Sequence, residues 1–174
     1  MSKIAYDLKK IKAIVFDVDG VLSPSTVPLG TDGMPSRMVN IKDGFAMRFA
    51  AMSDIRIAII TGADSPAIVQ RFKALGINDI YTKASMKLPI LIQWMEANRL
   101  SPLEVAYVGD DIPDYECMTY VGLPVAPADA AVDIQAVARY VSPVEGGYGV
   151  ARDIIEEVMR AHEKWMLGQK AFGW

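Results

Sequence analysis

Short apolar runs alternate along this chain with segments of helical period, and no other feature constrains its fold as strongly. Ala13 to Phe16, Ile55 to Ile60, Ile80 to Tyr81, Val105 to Val108, Leu123 to Val125 and Tyr140 to Val141 read as strands. Several are apolar on successive residues, as expected for a parallel sheet covered on both faces. Residues 43–53 read as a helix. Ser65 and Pro66 supply an N-cap and a first-turn proline for another, running to about Leu75 with Gly76 as its stop. Residues 86–99, 113–120 and 130–138 follow in the same manner, and Val150 to Leu167 reads as a long amphipathic helix. Residues 24–41, rich in Pro, Gly, Ser and Thr, break the rhythm and read as a β-hairpin flap after strand one. The expectation is α/β: a Rossmann-like three-layer sandwich with a mainly parallel sheet, one domain over residues 1–174, ending in a short tail at 168–174.

The 174 residues suffice to bury a core without disulfides. A net charge of −3, with both signs mixed throughout, gives no electrostatic reason to expect nucleic acid or an anionic membrane as partner. Cys117 is the only cysteine, so no internal disulfide forms, and a reducing, cytoplasmic setting is the natural reading. Charges interrupt the apolar residues of the first segment, MSKIAYDLKKIK, so it is not read as a signal peptide. No stretch approaches the ~20 apolar residues that span a bilayer.

Strand one runs into Asp17-Val18-Asp19-Gly20. In an open α/β sheet chemistry collects at the carboxyl ends of strands. There Asp17 can attack phosphorus as a nucleophile, and Asp19 can give a proton to the leaving oxygen. A solvated acidic loop is the bland alternative. The second strand ends in Thr61-Gly62, a hydroxyl and a backbone N–H able to hold a phosphoryl oxygen, although Thr-Gly is also a plain turn. Lys87 opens a helix and can neutralise nucleophile and phosphate, with Lys83 and Lys42 as competitors. Val105 to Val108 runs into Gly109-Asp110-Asp111, with Asp114 three residues on. Three carboxylates after a buried strand repel one another unless a cation is present, and oxygen ligands with a phosphate describe a Mg²⁺ site. Helix capping explains Asp111 or Asp114 but not all three. The joint order, DxDG, Thr-Gly, Lys, GDDxxD, is far more specific than any part.

That set resembles the haloacid dehalogenase superfamily of phosphatases over the whole chain. The resemblance implies Asp17 as nucleophile, Asp19 as general acid/base, Thr61 as phosphoryl-binding hydroxyl and Lys87 as charge-balancing lysine. It implies Mg²⁺ held by Asp110, the Asp17 side chain and the Asp19 backbone carbonyl, with Gly109, Asp111 and Asp114 in support. The stretches between motifs leave no room for a cap domain, so a neighbouring subunit is expected to cover the open site. DGVL, the Gly-rich hairpin, Asn40 to Gly44, Lys87-Leu88 and Glu145 to Arg152 together resemble the capless 3-deoxy-D-manno-octulosonate 8-phosphate phosphatases. That likeness implies a homotetramer and a small phosphorylated sugar acid used in making lipopolysaccharide. One departure stands out: the family arginine after Thr-Gly is Ala63 here, followed by Asp64. Arg71, Lys73 and Arg152 are the candidates to meet the substrate carboxylate, with Gly62 beside Thr61.

The nine-carbon analogue, 2-keto-3-deoxynonulosonate 9-phosphate, is the alternative substrate. A phospho-receiver signalling module is the alternative class, disfavoured because the middle strand ends in Thr61-Gly62 rather than an aspartate. His162, far from every motif, reads as a solvated helix residue and Cys117 as core. Trp165, Phe172 and Trp174 read as tail aromatics in need of a partner surface. The loop Glu145 to Gly149 reads as substrate-side or inter-subunit, ahead of a helix N-terminus that favours an anion.

Overall fold

A computed structural model describes residues 2–31 and 33–166. Six strands, β1 (Ala13–Phe16), β2 (Arg56–Ile60), β3 (Asp79–Tyr81), β4 (Val105–Val108), β5 (Leu123–Ala126) and β6 (Tyr140–Val141), form one sheet in the order β3-β2-β1-β4-β5-β6. Every pairing is parallel. Between them run α1 (Ile41–Ala51), α2 (Pro66–Ala74), α3 (Lys87–Ala97), α4 (Tyr115–Tyr120), α5 (Val132–Val137) and α6 (Val150–Ala161).

The successive apolar residues of the strands divide between two cores. Ile14 and Phe16 of β1, Ile57 and Ile59 of β2 and Val108 of β4 join one cluster with Phe49 of α1, Phe72 of α2 and Ile155 of α6. Their neighbours Val15, Ala58, Ile60 and Tyr107 point the other way, onto Leu91 and Trp94 of α3, Met118 of α4 and Ile134 of α5. Side chains alternate across a strand, so a strand buried on both faces is apolar throughout. Cys117 is one of the buried residues of the second cluster.

The 24–41 segment doubles back as a hairpin held, among the described residues, by one antiparallel bridge between Leu29 and Pro35, with Ser36 N–H donating to the Pro28 carbonyl. Pro24, Pro28 and Pro35 each lack the N–H a ladder requires. Asn40 then caps α1 by accepting from Lys42 and Asp43 N–H, so the chain passes from this segment straight into helix at Ile41. Helix α6 stops at Ala161, well before Leu167. Glu163 then takes a positive φ of 56° and turns the chain so that Trp165 packs on Phe45 and Phe49. Trp165 is therefore buried against its own chain instead of facing a partner. Phe172 and Trp174 lie outside the described residues. His162 is half-buried rather than solvated, its Nε2 2.9 Å from the Ile11 carbonyl oxygen.

Candidate active site

The chain order reverses at β1: successive strands are laid down outward on one side through β2 and β3, then on the other through β4 to β6. Ligands bind at such a switch point, beyond the carboxyl ends of the strands. Phe16 is level with Ile59 and Val108, so Asp17, Thr61 and the Gly109-Asp110 turn emerge side by side. They line a cleft of about 400 Å³ with Asp19, Gly62, Lys87, Asp111 and Asp114.

At its floor lies a buried cluster of opposite charges. Lys87 Nζ stands 2.8 Å from Asp17 Oδ2 and 2.8 Å from Asp114 Oδ1. Asp114 has no solvent access; its Oδ1 also accepts from the Tyr107 hydroxyl at 2.8 Å, and its Oδ2 from Asp110 N–H at 3.1 Å. Val18 N–H donates to Asp17 Oδ1 at 2.7 Å, which aims the other oxygen into the cleft. Lys87 opens α3, where a cation opposes the helix dipole. The two carboxylates compensate. Burial acts to lower the Lys87 pKa, but Asp114 and Asp17 outweigh it and the net shift is upward, keeping the ammonium charged.

The carboxylates themselves are pushed up. Burial raises Asp17, and the nearby Asp114 charge adds to it against the opposing pull of Lys87. Asp110 is raised to about 8 by burial and by the charges of Asp114, Asp17 and Asp111. Burial and Asp114 likewise raise the Tyr107 phenol well above its usual range, so it stays a hydrogen-bond donor. Carboxyl oxygens of Asp17, Asp110 and Asp114 all lie within 4.8 Å of one another. Such a donor set fits Mg²⁺, whose charge relieves this repulsion. Asp114 already serves three donors, which leaves Asp17 and Asp110 as the side chains with oxygens to offer.

Two glycines make the approach possible. A Cβ on Gly20, at φ 83°, would fall 1.8 Å from Asp110 Oδ2, and one on Gly109 would meet Asp114 Cβ at 2.4 Å. Thr61 is buried and its Oγ1 accepts from Ala63 N–H at 3.2 Å, leaving the hydroxyl hydrogen to donate into the cleft. Asp111 is exposed, and its carbonyl accepts from Asp114 N–H.

Of the competing lysines, Lys42 is exposed and Lys83 pairs with Asp64 at the surface, 2.9 Å away. Neither Arg71 nor Arg152 lines the cleft. Arg71 lines an adjacent groove. Arg152 pairs with Glu156, and its guanidinium lies 4.6 Å from the centre of the Trp165 ring. The glycine loop braces its own chain: Gly147 N–H donates to the Val21 carbonyl and Gly146 N–H to Asp129. The anion near the start of α6 is also internal, since Asp43 accepts from Arg152 N–H at 2.7 Å. Sequence reasoning missed Tyr107, which reads as a strand residue, and Arg37, whose guanidinium grips Asp19 through Nε and Nη2 at 2.6 and 2.8 Å.

A family model for haloacid dehalogenase-like hydrolases matches residues 50–154, and the chain belongs to that class. Within it, the chain is 38% identical over 156 residues to the 3-deoxy-D-manno-octulosonate 8-phosphate phosphatase of Escherichia coli K12, covering 90% of this chain and 83% of that protein. The Yersinia pestis phosphatase of the same name is 36% identical, with coverage of 88% and 82%. A crystal structure of that Yersinia pestis phosphatase superposes with a TM-score of 0.87 at 35% identity, covering 91% of this chain and 85% of that one. The Moraxella catarrhalis phosphatase, solved with magnesium ion, phosphate ion and 3-deoxy-D-manno-octulosonate, gives 0.85 at 30% identity and covers 89% of each chain.

Proposed function

We propose that this chain is a Mg²⁺-dependent phosphatase that hydrolyses 3-deoxy-D-manno-octulosonate 8-phosphate to the free sugar acid and phosphate. The chemistry rests above all on one observation: a buried carboxylate, Asp17, held by Lys87 at the switch point of the sheet beside Asp110. The choice of substrate rests on relatives of that name at 36–38% identity.

In the first step Asp17 Oδ2 forms a bond to phosphorus as the ester P–O bond breaks, and Asp19 gives its proton to the departing sugar oxygen. Lys87 and the Thr61 hydroxyl stabilise the oxygens of the phosphoryl group in flight. In the second step Asp19, now a carboxylate, takes a proton from water as its oxygen attacks phosphorus, and Asp17 is released. Asp17, Asp110 and the Asp19 backbone carbonyl would hold Mg²⁺, which when bound neutralises phosphoryl charge. Gly62 follows Thr61 on the same turn, while Gly109, Asp111 and Asp114 hold the Asp110 turn in place.

The assembly we propose is a cytoplasmic homotetramer acting in lipopolysaccharide synthesis, with the whole chain as one catalytic domain. Support comes from the open cleft and from Leu29, Met34, Met38 and Ile41, all exposed on or beside the 24–41 loop. No helix among the described residues is long and apolar enough to cross a membrane.

Phosphate release from a panel of phosphate esters, with Mg²⁺ and with EDTA, tests this reading across a size-exclusion profile. The panel holds the eight- and nine-carbon keto-deoxy acids, hexose phosphates and a nucleotide. Mg²⁺-dependent preference for the eight-carbon acid is expected in the tetramer fractions, and Asp17→Asn lowers it by roughly three orders of magnitude or more. Preference for the nine-carbon acid replaces the substrate, activity in a monomer peak removes the assembly, and full turnover by Asp17→Asn ends the mechanism.

A further inference from the structure

The cation that meets the Asp19 carboxylate comes from outside the sheet. Arg37 sits on the 24–41 loop, its side chain only 11% exposed, and grips both Asp19 oxygens with parallel N–H bonds of 2.6 and 2.8 Å. A carboxylate held by such a fork is acceptor on both oxygens. In that arrangement both oxygens face the guanidinium rather than a departing sugar oxygen. Asp19 itself is 38% exposed at its side chain and lines the phosphoryl cleft. Arg37 also lines the neighbouring groove of about 600 Å³, with Arg71, Met34, Ser65 and Ile68. The Arg37–Asp19 pair thus stands between the place for a phosphate and a second cavity large enough for the rest of a substrate.

Among the described residues lining the cleft the only cation is Lys87, and it is committed to Asp17 and Asp114. A substrate with a second anionic group finds in Arg37, which lines the adjoining groove and touches Asp19, a planar donor pair. We propose that Arg37 is a specificity residue that exchanges carboxylates: it holds Asp19 in the empty enzyme and moves to the carboxylate of an acidic sugar phosphate when that binds. The exchange swaps one two-bonded carboxylate for another, so the guanidinium stays satisfied throughout. Asp19 is then released from the fork and can turn toward the sugar oxygen. A neutral sugar phosphate offers no competing carboxylate and leaves the pair closed. Selection then acts on the placement of Asp19 as well as on binding.

The proposal rests on the sugar-acid phosphatase reading, and its test separates the two. Full-length wild type, Arg37→Ala and Arg37→Lys are assayed with Mg²⁺ on 3-deoxy-D-manno-octulosonate 8-phosphate, on glucose 6-phosphate and on p-nitrophenyl phosphate, whose leaving group needs no proton. Melting curves verify that each variant is folded, with Arg37→Lys standing in should the alanine variant fail. In Arg37→Ala, kcat/KM on the acid falls 30-fold or more, chiefly through KM, while kcat on glucose 6-phosphate rises several-fold relative to p-nitrophenyl phosphate. Arg37→Lys, which keeps charge but not the fork, falls between. A parallel loss on all three substrates, or an unchanged preference for the acid in a folded variant, overturns the role of Arg37 alone. Absence of that preference in the wild type overturns both the exchange and the substrate assignment.

Discussion

Asp114 is fully buried and serves three donors at once: Lys87 and Tyr107 on one oxygen and Asp110 N–H on the other. An asparagine of the same shape turns one of those oxygens into an amide that donates. It must then face a donor whichever way it is placed, and Lys87 loses one of its two counter-charges. Breaking a buried ion pair from one side costs about 3 kcal/mol or more. Asp114→Asn is accordingly expected to lower the melting temperature markedly and to cut kcat by about ten- to a hundredfold, because both Lys87 and the Asp110 turn lose their anchor. Tyr107→Phe removes one hydrogen bond and leaves the charges intact, so a loss of about 1 kcal/mol with a small effect on kcat is expected. Urea melts and steady-state rates of the two variants measure this, and equal effects would place the anchor elsewhere. The cleft residues Asp17, Asp19, Thr61, Lys87 and Asp110 were legible because each lies within three residues of a strand's carboxyl end or opens a helix, where topology fixes direction. Tyr107 and Arg37 were not. One is indistinguishable from core within an apolar strand, and the other lies on an irregular loop whose reach no periodicity reveals.

The 145–149 loop owes its position to glycine in a way that can be separated from the general cost of glycine replacement. A Cβ on Gly146 would lie 1.9 Å from the carbonyl oxygen of Gly20 and 2.5 Å from its carbon, both backbone atoms that cannot swing aside. Gly20 belongs to the turn that carries Asp19, so a displaced loop displaces the acid. Gly76, just past α2, has a φ of 85° and open space around the same position. Gly146→Ala is expected to lower both the melting temperature and kcat. Gly76→Ala carries only the backbone strain of its positive φ, about 1 kcal/mol, and keeps kcat. Thermal melts and rates on one phosphate ester compare the two, and a normal rate in a folded Gly146→Ala would show that the brace does not position Asp19. The elements on either side differ in how plainly their sequences mark them. Strands buried on both faces announce themselves, and α2 was bounded by Ser65, Pro66 and Gly76. The end of α6 was hidden because the reversal at Glu163 is driven by tertiary packing of Trp165 on Phe45 and Phe49, and helical period carries no trace of that. The 24–41 segment had the composition of a hairpin, and its prolines keep the pairing among the described residues to one bridge.

Across the whole molecule the layer of α1 and α6 carries a buried carboxylate at its apolar seam, and this makes stability depend on pH. Asp43, in the first turn of α1, is 2% exposed; its Oδ1 accepts from Arg152 N–H in the first turn of α6, while its buried Oδ2 has no hydrogen-bond partner among the described residues. Burial raises its pKa from 3.8 to about 6, against the lowering effect of Arg152. The folded state therefore binds this proton more tightly than the unfolded chain does. Its contribution is most favourable below pH 3.8 and is lost as pH rises through about 6, so at neutral pH the ionised, buried carboxylate is a net cost. A shift of that size corresponds to roughly 3 kcal/mol, and the N-termini of two helices, which favour an anion, reduce it to about 1–2 kcal/mol. Asp43→Asn keeps the acceptor for Arg152 and removes the charge. Relative to wild type it is expected to raise the melting temperature at pH 7.5 by several degrees, given about 2–4 °C per kcal/mol for a chain of this length. At pH 4 the advantage shrinks toward zero, since Asp43 is then protonated in the folded protein. Every other titrating group is shared by the two proteins, so the difference between their melting curves isolates Asp43. A difference that stays constant from pH 4 to 7.5 would mean that the substitution acts through packing rather than charge.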